Sequence, residues 1–438
     1  EARRNPQSRF GDFYIWSDTR PETHDEGMVF PGVQETTWTR DPVAGQYYFH
    51  RFYKFMPDLN TENPEVLAEI RKIMGFYLEL GVCGFRMDAL PFVIRTKGPE
   101  ARQQLRYGML RDFREFLQWR SRDAIILAEA NVEPKHSMKY FGDDGDRLQM
   151  MFNFWVNQFA FLAMATGDAA PLSKALAQTR ERPANAQWGQ FLRNHDELDL
   201  GRLSDEQRQA VFADMAPDRS MPPYGPGTPH RLAPMLHGDR RRLELAYSLM
   251  FSLPGTPVIR YGDEIGMGDN LELPERECAR TPMQWSTEAH AGFTRAAKAV
   301  SPVIEDGPYG FAKINVADQR RDPNSLLNWT ARMIRMRHET PEIGWGEFEV
   351  LDAGRPGILA IRYHWRNNEV LVIHNLLGEA AEIQLRVKGE RGRQLTNLFT
   401  QDHSHANGRG QHRIIMEPYG YHWYRVGGLG YLLERESV

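Results

Sequence analysis

Residues 63–88 read NPEVLAEIRKIMGFYLELGVCGFRMD, and the fold is decided there. Asn63 suits a helix N-cap, and Pro64 suits the first helical position, where its missing N–H would have no intrahelical partner anyway. Val66, Leu67, Ile70, Ile73, Met74, Tyr77 and Leu78 recur at helical spacing and share one face. Gly81 ends the helix, and 82–88 then reads as a short buried strand closing on Asp88. The same alternation continues outward. A helical stretch near 100–119 leads to an apolar strand at 124–130, and a strand at 149–154 leads to a helix through Met164. Strands at 188–194 and 257–261 follow, separated by a helix near 241–251. Buried strands alternating with helices predict an α/β fold around a parallel sheet.

The flanks differ. The first 55 or so residues carry aromatics and turn residues with no sustained period, so they read as irregular. Polar, Pro/Gly-rich loops are predicted at 197–240 and 262–323, and loops of that length in a compact domain usually carry function. Beyond a helix at 324–338, alternating runs at 358–365, 369–375 and 412–426 predict a separate antiparallel β-domain.

Composition sets the outer bounds. At 438 residues the chain holds roughly three units of about 150 residues, or one large barrel and a smaller domain. With 41% hydrophobic and 26% charged residues, it can build a core and is not disordered. Lys+Arg 54 against Asp+Glu 58 leaves a net charge of −4 and no basic block, which argues against a nucleic-acid partner. No apolar run is long enough for a membrane span. Two cysteines, Cys83 and Cys278, make no disulfide framework, so a reducing, cytoplasmic setting is expected. The chain opens on Glu1-Ala2-Arg3-Arg4, with nothing that reports targeting.

Ionisable residues close three of the strands, where a parallel barrel builds its active site. Arg86 lies two residues before Asp88, so both side chains share a strand face, and the guanidinium favours the ionised carboxylate that a nucleophile needs. Such a pair is equally often only a structural tie. Glu129 follows the apolar run 124–128 with no cation adjacent in sequence, a setting that suits a proton donor, the alternative being a core-edge Glu bonded to a backbone amide. Asp196 with His195 suits a pair for substrate hydroxyls, or else a helix N-cap followed by Glu197. Together, three acids at one barrel mouth suit glycosidic cleavage, which needs a nucleophile, an acid/base and a stabiliser for an oxocarbenium-like transition state. No phosphate-binding glycine loop, HExxH or nucleophile elbow competes. His403, His405 and His412 read as surface histidines of a polar loop.

These residues resemble the ordered motifs of glycoside hydrolase family 13, the α-amylase family. Gly84-Phe85-Arg86-Met87-Asp88, Leu127-Ala128-Glu129 and Asn194-His195-Asp196 are similar to three of them, and Met56-Pro57-Asp58-Leu59-Asn60 to a fourth. Within the family, 187–198, 261–269 and 280–285 most resemble the trehalose synthase branch, which interconverts maltose and trehalose. The resemblance implies a (β/α)8 TIM barrel with an inserted domain and a C-terminal β-sandwich, laid out here as 1–55, 56–342 and 343–438. It implies Asp88 as nucleophile, Glu129 as acid/base and Asp196 as transition-state stabiliser. Arg86, His195 and Arg276 would bind substrate, and Asp58 would support a structural calcium; no cofactor is needed for the chemistry. The implied partner is a small α-glucoside: maltose, trehalose or a short maltooligosaccharide. Hydrolysis by an α-glucosidase or amylase is the alternative outcome, and a non-catalytic amylase-like subunit the third reading.

Departures from the branch are Met56 for Gln, Pro229 and His230 for basic residues, Arg260 for Tyr, and 275–278 for an Asp-Arg-Asp-Gly pattern. Only five of eight barrel strands are legible, so a sequence truncated at its N-terminus, inactive as it stands, is expected. An open sheet should then begin near the strand of Asp88, with Tyr77, Leu78 and some of the first segment's aromatics exposed.

Overall fold

The computed structural model describes residues 1–29, 34–99, 104–216, 227–389 and 391–428. Residues 100–103, 217–226 and 429–438, on which parts of the expected helix, loop and β-domain fall, lie outside the described residues. The chain forms two compact units, one of 1–152 with 182–187 and the other of 153–181 with 188–438.

The first unit opens with three short strands, β1 (Trp16–Ser17), β2 (Trp38–Arg40) and β3 (Tyr47–Phe49), paired antiparallel with β3 in the middle. The segment expected to be irregular is so over most of its described length, but it also holds this small sheet, packed around Ile15, Trp38 and Phe49. Strands of two or three residues are too short to print a period in the sequence. Helix Pro64–Glu79 follows, with the Asn63 side chain accepting from Glu65 N–H as the capping reading requires. Val66, Leu67 and Met74 are buried, whereas Ile73 and Tyr77 are exposed and Leu78 is half-buried. The aromatics of the first segment divide: Phe10 is exposed, but Phe13, Trp38 and Phe49 are buried.

Strands β4 (Gly84–Met87), β5 (Ile125–Ala128) and β6 (Met150–Phe152) then pair in parallel, with Arg86 opposite Leu127 and Met87 opposite Ala128. Among the described residues β4 has a strand partner on one side only. The longer intervening helices are Gly108–Arg120 and Pro134–Phe141, the second of which has too few periodic residues to be visible in the sequence. Strand β7 (Gln187–Gln190) begins in this unit, where Gln187 N–H donates to Gln149.

In the second unit β7 continues and pairs in parallel with β10 (Thr256–Pro257). Between them lie the two-residue strands β8 (Leu198–Asp199) and β9 (Gly227–Thr228), paired antiparallel. The stretch expected as loop also holds helix Asp205–Met215, closed by a reciprocal capping box between Ser204 and Gln207. That helix buries only Val211 and Met215, which is too little apolar signal to register as a period. Helix Ala170–Gln178 is likewise new. Among the described residues no helix is long and apolar enough to cross a membrane.

The C-terminal part has two layers. β11 (Glu347–Leu351), β12 (Ile358–Trp365), β13 (Asn368–Asn375), β15 (Gln394–Asn397), β16 (Ser404–His405) and β18 (Tyr421–Val426) form one sheet, in the order β11-β12-β13-β18-β15-β16; β14 (Ala381–Arg386) pairs with β17 (Gln411–Met416) as the other layer. β14 and β17 alternate buried and exposed residues because one face meets solvent. β13 is buried through its last six residues because both faces are covered. Leu371 and Ile373 face β14 and β17, while Val370 and Val372 join the core that includes helix Arg240–Ser252. His412, expected at the surface, is instead fully buried, bonded to Ser404 and to the Gly392 carbonyl; His403 and His405 are exposed.

On the covered face His374 meets Ser248 Oγ at 3.0 Å, and Trp423 Nε1 donates to the same hydroxyl at 3.0 Å. Burial pushes the His374 imidazole down to about 3 from its ordinary 6.5. The folded state therefore holds it neutral while the unfolded chain takes a proton below pH 6.5. Its contribution to stability is fully present above that pH and is lost progressively as pH falls towards 3. Comparing chemical unfolding of the wild type and His374→Asn between pH 7 and 4 should show a flatter decline in the variant. Parallel declines would refute the assignment.

Candidate active site

In the first unit the parallel pairing of β4 and β5 brings their C-terminal ends together. Glu129 N–H donates to the Met87 carbonyl at 3.0 Å, and Leu90 N–H donates to the Glu129 carbonyl at 3.0 Å. Ala89, directly after Asp88, takes left-handed φ 45°, a conformation an alanine adopts at a cost, and the chain turns there into helix Leu90–Val93. Asp88 and Glu129 are thereby set at the ends of adjacent strands.

Arg86 joins them. Its Nη1 donates to Asp88 Oδ1 at 2.8 Å, and its Nη2 donates to Glu129 Oε2. The same-face reading of Arg86 and Asp88 holds. The apolar setting expected of Glu129 does not, because the neighbouring strand supplies a cation 43 residues away in sequence. The Glu129 side chain is largely covered, that of Arg86 is 33% exposed and that of Asp88 is 69% exposed. One guanidinium fork thus holds two carboxylates side by side, leaving the more open of them accessible to a reacting carbon.

Asp58 sits differently. Its Oδ1 is 2.8 Å from Lys97 Nζ, and its Oδ2 accepts from Arg51 N–H at 2.6 Å. Both side chains of the ion pair are buried, so the ammonium occupies the place a cation ligand set would need. The residues around Asp58 do not fit a calcium ion. Among the described residues no group of three or more His, Cys, Asp or Glu could hold a metal ion.

In the second unit Asp196 follows β7 in a turn made by Asn194, whose Oδ1 accepts from Asp196 N–H at 2.9 Å. No helix starts there, which removes the N-cap alternative; the chain runs straight into β8. Asp196 Oδ1 accepts from Arg276 Nη1 at 3.0 Å and from Arg280 Nη2 at 2.7 Å, and His195 Nε2 lies 3.4 Å from Asp196 Oδ2. Arg276 also holds Glu197, with Nη2 2.9 Å from its Oε1. Arg276, expected to bind substrate, is thus placed on the Asp196 carboxylate.

Below this loop lies buried positive charge that the sequence reading passed over. Arg193 is buried, donates to the carbonyls of His230 at 2.7 Å and Asp196 at 2.8 Å, and burial pushes its guanidinium down to about 10. Arg231 is fully buried and bonds the Tyr261 carbonyl and Asp263. His230 pairs with Asp269 at 2.9 Å. Arg260 and Arg280 were visible only as a departure from a pattern and as the first letter of a motif. Their partners lie 66 and 84 residues away in sequence, so no local spacing could expose them.

Comparisons with known proteins give the family. The family model of the alpha-amylase catalytic domain matches residues 1–216 and 229–346, and that of the sucrose hydrolase-like C-terminal domain matches 368–425. The chain belongs to the α-amylase family, glycoside hydrolase family 13. It is 36% identical over 441 residues to a trehalose synthase/amylase of Mycolicibacterium smegmatis, covering 97% of this chain and 74% of the relative. It is also 36% identical over 445 residues to a trehalose synthase of Pimelobacter, covering 97% and 77%. The crystal structure of an alpha-amylase from H. orenii superposes with a TM-score of 0.74 at 22% identity, over 97% of this chain and 76% of that one. The α/β fold is therefore that of the (β/α)8 enzymes of this family, and the protein is an enzyme similar to trehalose synthases.

Proposed function

We propose that the protein isomerises maltose and trehalose through a covalent glucosyl-enzyme. Asp88 attacks the anomeric carbon while Glu129 gives its proton to the departing glycosidic oxygen; the C–O bond to the second glucose breaks as the ester to Asp88 forms. Glu129, now ionised, takes a proton from the anomeric hydroxyl of the retained glucose, which re-attacks and releases Asp88 as the new glucosidic bond forms. Asp196, matched through the family motif, stabilises the oxocarbenium-like transition state.

The observation that carries the reading is the Arg86 fork between Asp88 and Glu129. Two carboxylates bonded to one guanidinium are held near each other, which suits the separation of roughly 5–5.5 Å that double displacement requires. The identity to trehalose synthases supports isomerisation over other outcomes. Hydrolysis is the second reading, supported by the double name, synthase and amylase, of the M. smegmatis relative. Incubation of the full-length protein with maltose, resolving trehalose from glucose, tests both. Trehalose as main product is expected; glucose alone would establish hydrolysis, and no turnover of any α-glucoside would refute the assignment.

A further inference from the structure

Arg260 lies three residues beyond β10 and is 7% exposed. Its Nη1 donates to the Asn194 carbonyl at 2.7 Å, and its Nη2 donates to the Ala279 carbonyl. These two carbonyls belong to the segments that meet at Asp196. Asn194 forms the turn that presents Asp196, and Ala279 immediately precedes Arg280, which bonds Asp196 Oδ1 and, through Nε at 2.8 Å, the His195 carbonyl. The Arg260 guanidinium also lies 5.5 Å from the centre of the Tyr261 ring, and Tyr261 Oη donates to the Thr281 carbonyl at 2.7 Å. One buried fork therefore ties the 194–196 turn to the 276–281 loop from beneath, while Arg276 and Arg280 tie them from above.

We propose that Arg260 is a positioning residue. It holds the loop that carries Arg276 and Arg280 in register with Asp196, and so keeps the released sugar in place long enough to re-attack. This rests on the isomerase reading above. A planar fork can donate to two diverging carbonyls at once, whereas the single ammonium of lysine reaches one, and a phenol, which the resemblance expects here, has one hydrogen to give. The cation is thus kept buried for its geometry and not for its charge alone.

The test uses Arg260→Lys, which keeps the charge, and Arg260→Gln, which keeps two donors without it, in the enzyme assayed on maltose. Amide hydrogen exchange is followed at 194–199 and 275–281, with 358–375 as the internal reference. The expected result for Lys is faster exchange confined to the first two segments, kcat lower by about 10–100-fold with KM changed much less, and a larger share of glucose among the products. Gln should recover part of the trehalose share. Unchanged exchange in both segments would overturn the clamp. Faster exchange with an unchanged product ratio would overturn the positioning role. If the Lys variant does not fold, the Gln variant decides by the same two readings. A wild type that turns over no α-glucoside would instead refute the proposed function, and exchange in the variants would still decide the clamp.

Discussion

Replacing Asp88 by Asn is expected to lower turnover of maltose by about 10⁴-fold or more, with little change in melting temperature. An amide cannot form the glucosyl ester, so the two-step path is closed at its first bond. Stability should hardly change, because the Asp88 side chain is mostly solvent-exposed and its ion pair with Arg86 leaves Arg86 still bound to Glu129. Glu129→Gln makes the informative contrast. It should cost about 10²–10⁴-fold on maltose, whose leaving oxygen needs a proton. On α-glucosyl fluoride, whose leaving group needs none, it should retain some activity, limited by the second step that still lacks its base, while Asp88→Asn stays inactive. Equal loss by both variants on the fluoride would refute the division of labour between the two acids.

The second large effect concerns stability. Arg425 of β18 donates through Nη1 to Glu342 Oε1, and both side chains are 2% exposed; Arg425 Nη2 also reaches the Glu339 carbonyl. Breaking such a pair from one side strands a charge in the interior. Arg425→Met should therefore destabilise by about 3–5 kcal/mol. Replacing both partners by apolar residues removes the stranded charge, so adding Glu342→Leu should restore much of the loss, because neither side then carries an unpaired ion. Chemical unfolding of the two variants measures this. A single variant within about 1 kcal/mol of wild type, or a double variant no better than the single, would show that the pair is not what holds this position.

How much was legible follows from where each signal resides. The helix at 64–79 and the strand after it were readable because a cap, a proline and a 3.6-residue period are local. The same holds for the acids at the strand ends, since a strand that closes on an ionisable residue shows it in a few letters. β1 to β3 left no trace because two or three residues make no period. The helix at 205–215 was missed because only Val211 and Met215 of it are buried. His412 looked exposed in a polar stretch, yet it lies on a strand that alternates, with its ring on the covered side.

By itself, then, the sequence determined the alternation of strands and helices, the acids that close the strands, and the family, all of which depend on neighbours along the chain. Only the tertiary structure decided what stands beside those acids. It put Arg86 between Asp88 and Glu129, Lys97 against Asp58, and Arg276 and Arg280 on Asp196, with Arg260 beneath the turn. A charge acts through space and falls off within a few ångströms, whereas the partners here come from separate strands and loops. Periodicity can show that a carboxylate sits at a strand end, but only the folded chain shows which cation meets it.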